Sequence, residues 1–257
     1  MSVLIPTFNP VVDFNEFTIT QGKRQVQISD VRTNTLENIF IEPVDVCLIG
    51  DSIGTEGEAY ATYSAYGGVM ADLLKYENYI NMSVSGGSLR DYADKTVGFL
   101  GVTTPLADLY IVTLGTNDFG YNRTIGDIAD VHPTDDTTFG DLDGIVDDIL
   151  SVNANAKIAF ITPLPRATQD NENVVDNLLV DYADAIIEFA RENGYPVLDL
   201  FRLSQFEPRI TTISENWTED ASDVPGDGLH PIDAAHEIYL YPHVAAFIKT
   251  NLERAKK

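Results

Sequence analysis

The chain has 257 residues, with 16 Lys and Arg against 40 Asp and Glu for a formal net charge of −24, and 44% hydrophobic residues. That is a globular composition in a chain long enough to bury a core unaided, and its one cysteine, Cys47, excludes an intramolecular disulfide. The charge sets aside nucleic acid and anionic membrane surfaces as partners, because both are held by clustered Lys and Arg.

The first residues, MSVLIPTFNPVVDF, lack a basic start and are interrupted by Pro6, Asn9 and Pro10, so they do not read as a signal peptide. The default location is the cytoplasm; the alternative is a component of a cell surface or a phage virion. No run approaches the roughly 18 apolar residues of a spanning helix. Residues 1–43 form an N-terminal extension. Its alternating runs Phe17–Thr20 and Gln25–Ile28 flank a Gly-containing turn, which predicts a β-hairpin. Such an extension suits a packing element, a homo-oligomer contact or a docking arm to a larger assembly.

From Val44 onward short apolar runs alternate with longer periodic ones. Strands are predicted at Val44–Ile49, Tyr79–Ser83, Asp108–Leu114, Lys157–Thr162 and Pro196–Leu200, nearly continuously apolar as in parallel strands buried on both faces. A helix is expected from near Ala59. Leu142, Ile145, Val146, Ile149 and Leu150 mark another, and Val175, Leu178, Leu179, Tyr182, Ile186, Phe189 and Ala190 a third, ended by Gly194. A last helical region starts near Pro231, is kinked at Pro242 and resumes through Val244, Phe247, Ile248 and Leu252. Residues 44–257 thus predict an α/β domain, a flavodoxin-like three-layer α/β/α sandwich on a five-stranded parallel sheet. Reactive groups in such sheets gather at the carboxyl ends of the strands. The stretches Gly120–Thr138 and Ser204–Gly228 are long for simple connections.

Four short blocks fall at that edge. The first strand runs into GDSIG, where Ser52 could be a nucleophile, or Asp51 and Ser52 simply a turn and helix cap. The second leads to NMSVSGGS, whose Gly86 and Gly87 either close a turn or let a backbone N–H approach a ligand. The third ends in GTND, where the Asn117 amide could donate to an oxyanion or close an Asx turn. Near the C-terminus, DGLHP sets Asp227 three residues before His230, a spacing at which a carboxylate can orient an imidazole. Asp233 and His236 repeat the spacing inside the last helix, where a surface pair is expected. The loop pair is preferred because it can aim over the sheet edge.

In this order the blocks resemble the SGNH (GDSL) hydrolase family, with Gly50–Ser52, Asn81–Gly86, Gly115–Asp118 and Asp227–Pro231 matching its motifs from about Val44 to the end. The resemblance implies a serine esterase, a carboxylic ester hydrolase without cofactor or metal. Ser52 would be its nucleophile, His230 its general base and Asp227 the partner of His230. The oxyanion hole would comprise the N–H groups of Ser52 and Gly86 with the Asn117 side chain. Gly86 is preferred to Gly87 because it keeps the family's spacing from Asn81. Pro242 departs from the simplest helix behind the site.

Two other readings compete. GDSIG also fits the G-x-S-x-G turn of α/β-hydrolases, but there the acid and the histidine usually occupy separate loops. DSIGTEG could instead cradle a flavin phosphate, which leaves DGLHP and GTND without a role. A third reading is a site preserved in shape that only binds saccharide, which turnover of any simple ester would exclude. The acidic stretch 218–228 reads as solvated carboxylates rather than a calcium loop. With no long apolar lid evident after Ser52, the expected substrate carries a small acyl group, with acetyl on a carbohydrate preferred to a lipid or thioester. Phe119, Tyr121 and Trp217 are the aromatic candidates for holding a sugar ring.

Overall fold

In the computed structural model the described residues are 17–21, 24–28, 44–55, 79–96, 98–99, 101–219 and 226–255. The helix expected near Ala59, any lid in 56–78, and the acidic residues 220–225 lie outside them. Two compact units divide the chain, residues 1–42 and 43–257. In the first, β1 (Phe17–Gln21) pairs antiparallel with β2 (Arg24–Ile28), Phe17 opposite Ile28 and Gln21 opposite Arg24.

The second unit is built on β3 (Val46–Gly50), β4 (Tyr79–Asn81), β5 (Leu109–Thr113), β6 (Lys157–Ile161) and β7 (Val197–Leu198). They form one parallel sheet in the order β4-β3-β5-β6-β7. The chain leaves β3 toward one edge and returns to β5 on its other side. This reversal opens a crevice at the carboxyl ends of β3, β4 and β5.

Alternation along each strand separates two cores. Cys47, Ile49, Tyr110, Val112, Ile158 and Phe160 face α1 (Leu89–Ala93), α3 (Thr138–Val152) and α4 (Leu179–Glu192), meeting Tyr92, Leu142, Ile145, Ile149, Ile186 and Phe189. Between α1 and α3 in the chain lies the short α2 (Thr116–Gly120). On the other face Val46, Leu48, Leu109, Ile111, Ala159 and Ile161 meet Leu240 and, from α6 (Tyr241–Ala255), Val244, Ile248 and Leu252. Helices on both faces around a five-stranded parallel sheet are the expected α/β/α sandwich.

Three local expectations change. Helix α4 begins at Leu179 rather than near Val175. The side-chain Oδ1 of Asn173 accepts from Val175 and Asn177 N–H, and the Asp181 carboxylate takes the Leu178 N–H at 2.7 Å, capping the helix there. The loop after Ser204 contains a helix of its own, α5 (Thr211–Trp217). The break expected at Pro242 is a π turn, His236–Leu240, leading into α6. Pro242 has no N–H and its ring crowds the carbonyl of residue i−4, so the wider turn precedes it.

That turn also places His236 in the interior, 1% exposed, rather than in a surface pair with Asp233. Burial lowers its pKa from 6.5 to about 4 despite the Asp233 charge. The unfolded chain therefore binds a proton on acidification that the folded chain refuses, so stability falls as pH drops from 6.5 toward 4. Replacing His236 with Gln should remove from the pH dependence of unfolding a contribution on the order of 3 kcal/mol across that window. Urea denaturation at pH 7 and pH 4.5 checks this; an unchanged difference between the two pH values in H236Q contradicts it.

Candidate active site

Ser52 stands just past β3 in a tight turn. Asp51 accepts the Ile53 N–H on Oδ1 at 2.9 Å, Gly54 N–H donates to the Asp51 carbonyl at 3.0 Å, and Thr55 Oγ1 donates to the Ser52 carbonyl. Burial pushes the Asp51 carboxyl up to about 6, against the opposing pull of the Ile53 N–H and His230. The turn is tied to the end of β4, because Asn81 Nδ2 donates to the Gly54 carbonyl at 2.9 Å.

Across the rim, Ser52 Oγ lies 2.9 Å from His230 Nε2, and His230 Nδ1 lies 2.5 Å from Asp227 Oδ2. Asp227 Oδ1 accepts the Leu229 and His230 N–H groups at 2.8 and 3.0 Å. Burial pushes the Asp227 carboxyl up, but the His230 side chain and those two N–H groups outweigh it and hold the carboxyl below its ordinary value. Asp227 is thus an anion in place to fix one ring nitrogen of His230 while the other faces the serine hydroxyl.

The loop that aims His230 is pinned to α5 and to the segment after β6. Thr218 accepts from Gly226 N–H on its carbonyl and from Gly228 N–H on Oγ1, both at 2.8 Å. The Glu219 N–H donates to the His230 carbonyl, and Ala167 N–H to the Gly228 carbonyl at 2.7 Å. Gly228 has φ +70, and a Cβ there would stand 2.4 Å from Ala167 Cβ, so only glycine allows this approach without displacement.

The second and third blocks arrive at the same rim. Gly86 has φ +76. Among the described residues the N–H groups of Ser52 and Gly86 have no protein acceptor, whereas Gly87 N–H is taken by the Val84 carbonyl at 2.9 Å. Asn117 Nδ2 donates to the Gly87 carbonyl at 2.8 Å. An amide nitrogen carries two hydrogens, so this bond orients the side chain and leaves a second donor. Such an arrangement can bind developing negative charge on an oxygen attached to a carbon attacked by Ser52.

Two side chains hold these donors in register in ways the sequence does not indicate. The buried Asp118 accepts the Leu89 N–H on Oδ2 at 3.0 Å, lashing α2 to the start of α1; burial raises its carboxyl to about 7. Tyr121, 48% exposed, donates its hydroxyl to the Gly86 carbonyl at 3.0 Å. Of the three aromatic candidates, only Tyr121 presents an open ring beside the donors. Phe119 is 6% exposed and packs edge-on against Tyr182, which leaves little ring for a sugar. Trp217 packs edge-on against Tyr239, with ring centroids 5.7 Å apart.

Residues 48–238 match the GDSL-like lipase/acylhydrolase family. The chain belongs to that family. Several solved structures share its fold at low identity. A Lactobacillus plantarum protein matches with a TM-score of 0.64 and 21% identity over 82% of this chain and 98% of its own. A phospholipase A1 from Streptomyces albidoflavus matches at 0.56 and 16%, over 80% and 99%. An acetyl xylan esterase from Geobacillus stearothermophilus matches at 0.51 and 18%, over 79% and 95%. No curated protein sequence matches the chain.

If the Gly228 approach aims the loop, Gly228→Ala should disturb the short Nδ1–H to Asp227 contact while the core stays folded. That proton should give a far-downfield NMR resonance in the native protein that is lost in Gly228→Ala and in Asp227→Ala. A resonance unmoved by Gly228→Ala contradicts the positional role of the glycine.

Proposed function

We propose that the protein is a carboxylic ester hydrolase acting on a small acyl group, acetyl on a carbohydrate hydroxyl in the preferred reading. The chain of contacts Ser52 to His230 to Asp227, facing two unclaimed N–H groups, is the observation that supports it most. His230 takes the Ser52 proton as Oγ attacks the ester carbonyl, and Asp227 holds the ring in place and stabilises the imidazolium. Ser52 N–H, Gly86 N–H and the second Asn117 hydrogen receive the oxyanion. The alcohol leaves with the proton from His230, and water repeats the cycle on the acyl-serine.

The small-acyl, sugar-alcohol part of this reading draws on Tyr121. Its ring stands open at the rim beside Gly86, and its hydroxyl fixes the peptide of an oxyanion donor. The fold likeness to an acetyl xylan esterase accommodates that choice, as the likeness to a phospholipase accommodates a lipid ester.

Three outcomes are expected. Ser52→Ala should abolish turnover of 4-nitrophenyl acetate without altering the circular dichroism. Asn117→Ala should lower kcat about 10²- to 10³-fold, the usual loss for one oxyanion donor; a near-native kcat contradicts its role. Across acetyl, butyryl and octanoyl 4-nitrophenyl esters kcat/KM should fall with chain length, and a preference for octanoyl would replace the sugar-ester reading with a lipid one.

A further inference from the structure

Arginines in a chain of charge −24 have acids within easy reach, and several use them. Arg90 pairs with Asp141 and Asp136, Arg202 with Asp184 and Asp199, and Arg209 with Asp170 and Glu207. Arg166 does not. Among the described residues its guanidinium makes no ion pair and no hydrogen bond, although the side chain is half-buried. It lies over the Phe119 ring, 5.4 Å from the centroid, and a Cβ at Gly120 would stand 3.9 Å from its Nη1. The acid whose charge it feels is Asp227, but that carboxylate is committed to His230 Nδ1 and two N–H groups. Arg166 is held there from behind: its own N–H donates to Gln169 Oε1, and the next residue, Ala167, is bonded to the loop that carries His230.

We propose that Arg166 is a subsite for a carboxylate on the ester substrate, so that the enzyme acts on an acylated acid. Removing a cation partly from water without pairing it costs free energy, which an arriving anion returns. The planar fork of guanidinium N–H groups matches a carboxylate in two parallel bonds. With Cζ over the Phe119 ring and no protein acceptor on the guanidinium among the described residues, its N–H groups remain for that fork. A singly charged carboxylate fits a protein this acidic better than a phosphate dianion, whose approach the net charge opposes twice as strongly. Phe119 then serves as the platform that positions Arg166, which accounts for an aromatic ring beside the site that has little surface for a sugar.

This inference rests on the esterase reading, and its test separates the two. Four esters form two matched pairs. In one, 4-acetoxybenzoate against its methyl ester, the carboxylate is on the alcohol side. In the other, mono-4-nitrophenyl glutarate against 4-nitrophenyl pentanoate, it is on the acyl side. In at least one pair the anionic member should be preferred by the native enzyme, and Arg166→Gln should lower the anionic-to-neutral ratio of kcat/KM about 10- to 100-fold, mainly through KM. Arg166→Lys, which keeps the charge and loses the fork, should restore only part of the ratio. A ratio unmoved by Arg166→Gln in both pairs overturns the subsite, as does an equal kcat loss on anionic and neutral esters, which would make Arg166 a modulator of His230 and Asp227. Calorimetric binding of benzoate and of glutarate, at least one of which should bind the native protein and lose its binding in Arg166→Gln, reads the subsite without turnover. Failure to hydrolyse any ester would therefore sink the esterase reading, while the binding result alone would decide the fate of the subsite.

Discussion

The structure turns on one contact between residues 178 positions apart, the 2.9 Å approach of Ser52 Oγ to His230 Nε2. Neither end sits on a long rigid element. Ser52 follows β3 in a turn closed by its own neighbours, and His230 rides a loop. Their meeting depends on supports that converge from elsewhere: Thr218 at the end of α5, Ala167 after β6, and Asn81 at the end of β4, each bonded to backbone of one of the two loops. Parallel pairing of β3 with β4 and β5 brings those supports to a common edge. The chemistry resides in loops, and the precision comes from the sheet and from polar side chains that tie the loops to it.

Charge is deployed unevenly around that contact. The overall excess of acid is mostly solvated, but three carboxylates near the rim are not, and each is handled differently. Asp227 accepts three hydrogen bonds and stays ionised, as an orienting anion must. Asp51, with one N–H donor on Oδ1, and Asp118, with the Leu89 N–H on Oδ2, hold backbone in place, and burial raises their carboxyls to about 6 and about 7. An oxyanion forming at Ser52 would meet the Ser52 and Gly86 N–H groups and the Asn117 amide.

Much of this was legible in the sequence, and the reasons differ by element. The strands were visible because parallel strands covered on both faces are apolar throughout; their cores were right and their ends shifted by at most two residues. The site blocks were legible because Ser52, Gly86, Asn117, Asp227 and His230 each follow a strand or precede a helix, where topology alone gathers them. The start of α4 differs because apolar periodicity continues through Val175 and Leu178, while backbone N–H bonds to the side chains of Asn173 and Asp181, invisible to a periodicity count, decide where the helix begins. The π turn and the burial of His236 escaped for a related reason, since D-x-x-H on a helix says nothing of which face packs inward. Arg166 gave no signal at all: its interest lies in the partners it lacks, and pairing is a property of three-dimensional neighbours.

The central claim is that the Ser52 hydroxyl is made nucleophilic by His230. Covalent trapping with a fluorophosphonate tests it most directly, because the reagent phosphonylates an activated serine irrespective of which natural ester the enzyme prefers. Intact-mass analysis should show one adduct per chain, and peptide sequencing should place it on Ser52 in the native protein. His230→Ala should slow the labelling to the rate of an ordinary serine while the protein remains folded. An adduct elsewhere, or equal labelling rates with and without the imidazole, would contradict the account.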